Sequence, residues 1–310
     1  SDTLSLHDAL PISQASNGQA VATWNNIAGG ASGSVTQGND SYRPTYVTNA
    51  INGKAALHFS GDGDVLSSNN TYANTGNAVS AFIVMRRTAD TTNYGRSLGF
   101  IGPNSGTDWD NSSNWCLNSG SNGTTMRVEK GAAFDQGTLP AVNTAYLAEV
   151  VFNGSTCTTY INGTQIGSSV SASGNFNINQ IAVGAGWSGG STPAWAMTGD
   201  IAEVIIYNSA LNTTDRQTIE AYLTGKWFST LPTGIVCQLD ASTLGLSDGA
   251  QVSSVTDASG NGHTANAYDS NNKPTYTASG LNGLGTIHFA GGTQGLRTIN
   301  NLGVTGDSSR

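Results

Sequence analysis

Two carboxylates on one turn, Asp62 and Asp64 in SGDGD (Ser60 to Asp64), have the spacing that most directly suggests chemistry. Oxygen ligands carried on a loop suit calcium, so the pair is a candidate calcium site, with an ordinary solvated turn as the competing reading. Three cysteines, Cys116, Cys157 and Cys237, lie far apart with no CxxC spacing, which argues against zinc. Cys116 and Cys157 are either bridged or, the plainer reading, two small buried thiols. Large rings form the other cluster. Tyr94, Trp109, Trp115, Trp187 and Trp195 sit in or beside Gly/Ser/Asn-rich segments, above all TDWDNSSNW (Thr107 to Trp115) and GWSGGSTPAW (Gly186 to Trp195). Such rings either cover loop ends and core or present a flat face to a ligand. No HExxH helix is present in the sequence, no GxSxG or glycine-rich string leads into a helical pattern as a nucleophile elbow or phosphate loop requires, and no residue is assigned a catalytic role.

Short strands must carry these loops. Only 10% of the 310 residues are charged, against a usual quarter or so, and glycine, serine, threonine and asparagine take up the difference. AVSAFIVMRR (Ala78 to Arg87) and SLGFIG (Ser97 to Gly102) are apolar runs set off by polar turns, and TAYLAEVVF-NGS-TCTTYING (Thr144 to Gly163) reads as a hairpin. Ile201 to Tyr207 has large apolar residues at consecutive positions, which implies a strand buried on both faces near the middle of a sheet. Glu203 interrupts it and must find structural partners to offset its desolvation. One helix follows. Asn212 caps it with Asp215 reaching back, Ile219, Tyr222 and Leu223 share a face with Trp227 a turn beyond, and Gly225 and Lys226 mark its end. It is expected to plug the sandwich rim. The formal charge of -8 is scattered without a basic stripe, so nucleic acid is excluded as a partner. No apolar stretch approaches the roughly 20 residues of a membrane span, which excludes membrane insertion.

An internal repeat sets the domain organisation. PTYVTNAINGKAALHFSGDGDVL (Pro44 to Leu66) aligns without a gap to PTYTASGLNGLGTIHFAGGTQGL (Pro274 to Leu296), with nine of 23 positions identical. The second copy opens with an apolar run, Ile235 to Leu239, read as a strand. At the matching place in the first copy stands TLSLHDALPI (Thr3 to Ile12), which is the in-frame translation of a common sequencing-library adapter, ACT CTT TCC CTA CAC GAC GCT CTT CCG ATC. Residues 1–13 are therefore set aside as an artefact, with a native strand LSLHDAL as the competing reading, and His7 and Asp8 receive no catalytic credit. The division expected is a first domain over 14–229 lacking its first strand, a linker at 230–233, and the opening part of a second domain over 234–310.

With these motifs on the page a family can be named. GDIAEVIIYNSAL followed by the helix and AYLTGKW, the paired Leu/Ile-Asn-Gly and His-Phe-x-Gly segments, Tyr160 to Gly163, and Asp257 to Gly262 together resemble bacterial laminin G-like domains of the concanavalin A-like lectin/glucanase superfamily. The resemblance implies an all-β, two-sheet antiparallel jelly-roll sandwich with one short C-terminal helix, followed by a partial second copy. It implies first and last strands side by side, so Ile201 to Tyr207 would lack a mate that Ile235 to Leu239 can supply by strand exchange between adjacent repeats. The family's glucanases use paired carboxylates spaced as ExDxxE. None of Glu129, Glu149, Glu203 and Glu220 sits in that pattern, so the chain is not expected to be an enzyme. The family's carbohydrate modules stack exposed rings on sugars, which makes Tyr94, Trp109, Trp187 and Trp195 the candidate ligand-binding residues. The function implied is a non-catalytic module that binds glycan, matrix or cell-surface polysaccharide outside the cell. A structural spacer in a surface protein is the alternative, and a glycoside hydrolase ranks behind both.

Overall fold

A computed structural model describes residues 3–6, 16–26, 28, 34–68, 76–91, 93–101, 115–177, 180–187, 192–228, 235–281, 284–299 and 302. Two compact units divide the chain, Ser1–Ser229 and Thr230–Arg310. The first contains eighteen strands: β1 Thr3–Leu6, β2 Thr23–Trp24, β3 Val35–Thr36, β4 Thr45–Ile51, β5 Lys54–Ser60, β6 Leu66–Ser68, β7 Ala78–Arg87, β8 Arg96–Ile101 and β9 Trp115–Asn118. They continue with β10 Thr125–Glu129, β11 Ala133–Thr138, β12 Ala145–Asn153, β13 Thr156–Ile161, β14 Thr164–Ser171, β15 Gln180–Val183, β16 Gly186–Trp187, β17 Pro193–Ala194 and β18 Thr198–Tyr207, before helix α1 at Thr213–Trp227. Two antiparallel sheets form the sandwich, ordered β14-β13-β12-β7-β18-β5-β4 and β11-β10-β9-β8-β15-β6-β3-β2. This is the jelly-roll architecture expected from sequence.

Period-two alternation explains how the layers meet. Val79, Ala81, Ile83 and Met85 of β7 and Tyr146, Ala148, Val150 and Phe152 of β12 enter the core between the sheets, joined from the other sheet by Leu98, Phe100, Leu117, Met126 and Val128. The alternate residues Phe82, Val84 and Leu147 point the other way, yet they too are buried. Leu223 and Trp227 of α1 lie over them, together with Ile205. The helix therefore covers the outer face of the first sheet and not the sandwich rim, because the apolar side chains it can bury stand on that face. Tyr222, expected on its buried side, is 43% exposed and reaches inward through its hydroxyl.

The helix is fastened at several points. Asn212 Oδ1 accepts the Asp215 amide at 2.9 Å and its Nδ2 donates to Asp215 Oδ2 at 2.7 Å, so the cap forms as the spacing predicts. Buried Glu203 accepts from Trp227 Nε1 and from the Tyr222 hydroxyl at 3.3 Å, with Lys226 Nζ at 3.1 Å. Its role is structural, as the sequence argued. Arg216 of α1 pairs with fully buried Glu149 at 3.0 Å and with Glu220. At the far end Asn52, in the β4–β5 turn where left-handed φ values fall on Asn52 and Gly53, donates to the Trp227 carbonyl at 2.7 Å.

The place beside β18 is not vacant. One side of β18 pairs along its length with β7, and the other is shared end to end by β5, opposite Thr198 to Ile201, and by β1, opposite Val204 to Tyr207. A bulge between Ile201 and Glu203 separates the two stretches. Thr3 to Leu6 thus fills the slot that the repeat comparison left empty. The expected strand at Ile235 to Leu239 does not form: only Leu239 makes an isolated bridge, to Asp257. Its main chain is engaged by a loop instead, since Asn261 Nδ2 donates to the Ile235 and Val236 carbonyls and Asp257 accepts the Gln238 amide. Strand exchange through this segment is therefore not what the structure contains.

The second unit carries β19 Ser254–Val255, β20 Ala265–Ala267, β21 Thr275–Leu281, β22 Leu284–His288 and β23 Leu296–Thr298. Its β21–β22 hairpin repeats the β4–β5 register pair for pair, Thr275 opposite His288 as Thr45 is opposite His58, with a register shift at the corresponding place. Its core is small, built on Val252, Val255 and Tyr276, while Tyr268, Leu281, Leu284, Phe289 and Ile299 are exposed.

Candidate functional site

Met126 and Val128 of β10 face the core, so the intervening Arg127 and Glu129 stand on the outer face of the second sheet. Arg127 is opposite Asn118 of β9, and Asn118 is in turn opposite Arg96 of β8, which sets the two arginines in one row across three strands. The register slips between Arg96 and Leu98. That irregularity takes Arg96 off the inward phase that Leu98 and Phe100 keep.

Two loops bring aromatic rings over this row. Tyr94 lies in the turn before β8, with a left-handed φ of 56° and its amide bonded to the Gly120 carbonyl at 3.1 Å. Trp195, also left-handed at 54°, accepts the Arg96 amide on its carbonyl at 2.8 Å, which ties the loop after β17 to the start of β8. The Arg96 guanidinium then lies 4.2 Å from the Trp195 ring centre and that of Arg127 5.2 Å from the Tyr94 ring centre. Tyr94, Arg96, Arg127, Glu129, Ala133 and Trp195 enclose a cleft of about 180 Å³. A second cavity, lined by Met85, Tyr146 and Met197 among others, measures about 20 Å³, room for one water. The cleft is the larger by far.

Charges in the cleft are matched. Glu129 approaches Arg96 and Arg127 at 3.6 Å each, and Arg127 holds Asp135 of β11 with two nitrogens at 2.6 and 3.2 Å. The hydrogen bond to Asp135 raises the Arg127 pKa above its ordinary value, so its charge is fixed. The arrangement offers donors, acceptors and ring faces within a short span, and no thiol or hydroxyl nucleophile lines the cleft among the described residues other than the Tyr94 phenol.

Of the four aromatic candidates, Tyr94 and Trp195 come together here. Trp187 is paired through its main chain with Pro193, across the short β16–β17 ribbon that leads to Trp195. Trp109 lies outside the described residues, as do His7, Asp8 and the linker at 230–233. Arg96, Arg127 and Glu129 were not predicted. The alternation of Thr125-Met126-Arg127-Val128-Glu129 carried the signal, since two apolar residues facing one way place Arg and Glu together on the other. At the calcium candidate, Asp64 is buried and its Oδ2 accepts the Ser60 amide at 2.8 Å, whereas Asp62 is exposed. Among the described residues no three His, Cys, Asp or Glu side chains converge. Cys157 is a free thiol in the core, its pKa pushed up by burial, and the Cys116 side chain lies outside the described residues.

A family description, the concanavalin A-like lectin/glucanases superfamily in its laminin G form, matches residues 59–215, just over half of the chain. The chain belongs to that superfamily. No curated protein matches its sequence. Among solved structures, domain 4 of AbnA, a GH43 extracellular arabinanase from Geobacillus stearothermophilus in complex with arabinotriose, is 15% identical over 66% of this chain and 100% of its own, with a TM-score of 0.44. A mutant Trypanosoma rangeli sialidase displaying trans-sialidase activity is 15% identical over 74% of this chain and 33% of its own, at a TM-score of 0.46. The CBM40 of Ruminococcus gnavus IT-sialidase, bound to alpha2,3 sialyllactose, is 12% identical over 47% of this chain and 83% of its own, at 0.38. This superfamily member spans about a third of the Trypanosoma sialidases it matches. At such scores the ligand is a matter for its own side chains.

Proposed function

We propose that the first unit is a non-catalytic, glycan-binding module of a secreted multidomain protein, and that the cleft between Tyr94 and Trp195 is where the glycan lies. The observation that carries this reading is the convergence of two loop aromatics on one cleft whose walls also supply guanidinium donors and a carboxylate acceptor. A sugar asks for that combination: its C–H faces pack on rings and its hydroxyls both donate and accept. The volume is below the roughly 300–1,000 Å³ of drug-sized pockets, which suits one sugar residue of a chain crossing an open surface.

The glutamates support a non-catalytic role. Glu149 and Glu220 pair with Arg216, Glu203 with Lys226, and Glu129 with two arginines, so each carboxylate is committed to an ion pair. The test is the double variant Tyr94→Ala, Trp195→Ala. With the melting temperature retained, binding to the best polysaccharide on a glycan array should weaken at least about tenfold, the loss of about 1.4 kcal/mol. Unchanged binding would remove the cleft from the site.

A further inference from the structure

Resting on the glycan-binding reading, we propose that the cleft selects neutral, hydroxyl-rich saccharides and turns away acidic ones. Arginines facing a sugar site ordinarily suggest recognition of a carboxylate or sulfate, because the planar fork matches such a group. Here both guanidinium charges already face a carboxylate. Glu129 stands 3.6 Å from each guanidinium, with its side chain only 6% exposed, and Asp135 takes two nitrogens of Arg127 from the rim. Two cations face two anions. The adjacent Lys130 does not line the cleft: its ammonium donates to the Ser173 and Gly174 carbonyls at 3.2 and 3.1 Å and lies over the Phe176 ring.

An acidic sugar entering this cleft would meet Glu129, a carboxylate 6% exposed that it cannot displace from Arg96 without leaving Glu129 buried beside a second anion and short of its counter-charge. The chain's net charge of -8 opposes the approach of a polyanion as well. A neutral sugar meets neither obstacle. Each hydroxyl can accept from a guanidinium N–H and donate to a carboxylate oxygen, exchanging water for protein without a change in charge. Binding to such a ligand is expected to be indifferent to salt.

Matched polymers test the idea on the full chain. Titration calorimetry would compare dextran with dextran sulfate, and highly methyl-esterified pectin with polygalacturonate, where the backbone is shared and only the charge differs. The expected result is binding to at least one neutral member, with affinity changing less than about twofold between about 0.05 and 0.5 M NaCl, and at least about tenfold weaker binding to its acidic partner. Asp135→Asn, at a rim position 55% exposed, frees Arg127 without burying an unpaired charge and should narrow that gap in a salt-sensitive manner. Tighter binding of the acidic members by the unaltered chain, falling with salt, would overturn the neutral assignment while leaving glycan binding intact. Binding to no member of either pair, nor to any polysaccharide on the array, would overturn the glycan reading and this inference with it.

Discussion

Glu149 is fully buried, and burial is the main reason its pKa rises to about 7; the Arg216 charge and the Gly163 amide pull it down by less. A carboxyl whose folded pKa lies above its unfolded value of 4.5 stabilises the fold below that value, and the contribution is lost as pH rises through about 7. His58 acts in the same sense. Its Nδ1 lies 2.8 Å from buried Asp200, a hydrogen bond that raises its pKa above 6.5, so its contribution is also present at low pH and lost on its deprotonation. The melting temperature should therefore decline between about pH 5 and 8, and Glu149→Gln should flatten the decline by an amount worth up to a few kcal/mol. Parallel pH profiles of the two proteins would refute the assignment. Arg216 explains why this carboxyl is tolerated at all, since it serves both Glu149 and Glu220 while lying 3.7 Å from the Tyr160 ring centre.

Among the elements, α1 shows what a sequence can and cannot specify. Its start was legible because Asn212 and Asp215 act locally, through bonds three residues apart. So were β7, whose bounds at Ala78 and Arg87 coincide with the apolar run, and the β12–β13 hairpin, where Asn153 and Gly154 make the turn. The docking face of α1 was not legible, because it depends on Phe82, Val84, Leu147 and Ile205 arriving from three strands far apart in the chain. The cleft was half legible for the same reason: Tyr94 and Trp195 announce themselves as loop aromatics, whereas Arg96 and Arg127 meet only through the β8-β9-β10 register. Trp227 carries the helix's attachment, with its ring in the outer cluster and its N–H on Glu203. Trp227→Phe should keep most of the packing yet cost about 1–3 kcal/mol by leaving a buried carboxylate short of a donor. Trp227→Ala should cost about 3–5 kcal/mol. Urea unfolding would show almost no cost for Trp227→Phe if packing alone mattered.

At the scale of the whole molecule the two units are built unequally. The first unit closes a core between two sheets and a second apolar layer beneath its helix. The second leaves Leu281, Leu284 and Ile299 at least 60% exposed. Removing residues 1–13 should lower the melting temperature of the first unit, because the Val204 to Tyr207 edge of β18 loses β1 and with it four paired positions. If instead deletion of residues 230–310 produced that drop and deletion of 1–13 did not, the mate of β18 would be Ile235 to Leu239 after all.

The end-to-end sharing of β18 by β5 and β1 also has a mechanical side. Thr3 lies opposite Tyr207, so a load applied through the start of β1 and through the chain that leaves β18 would act at the same end of that seam. The rungs would give way in succession, as in a zipper, and not together, as in a lap joint. A tether anchored by those two points would yield at low force.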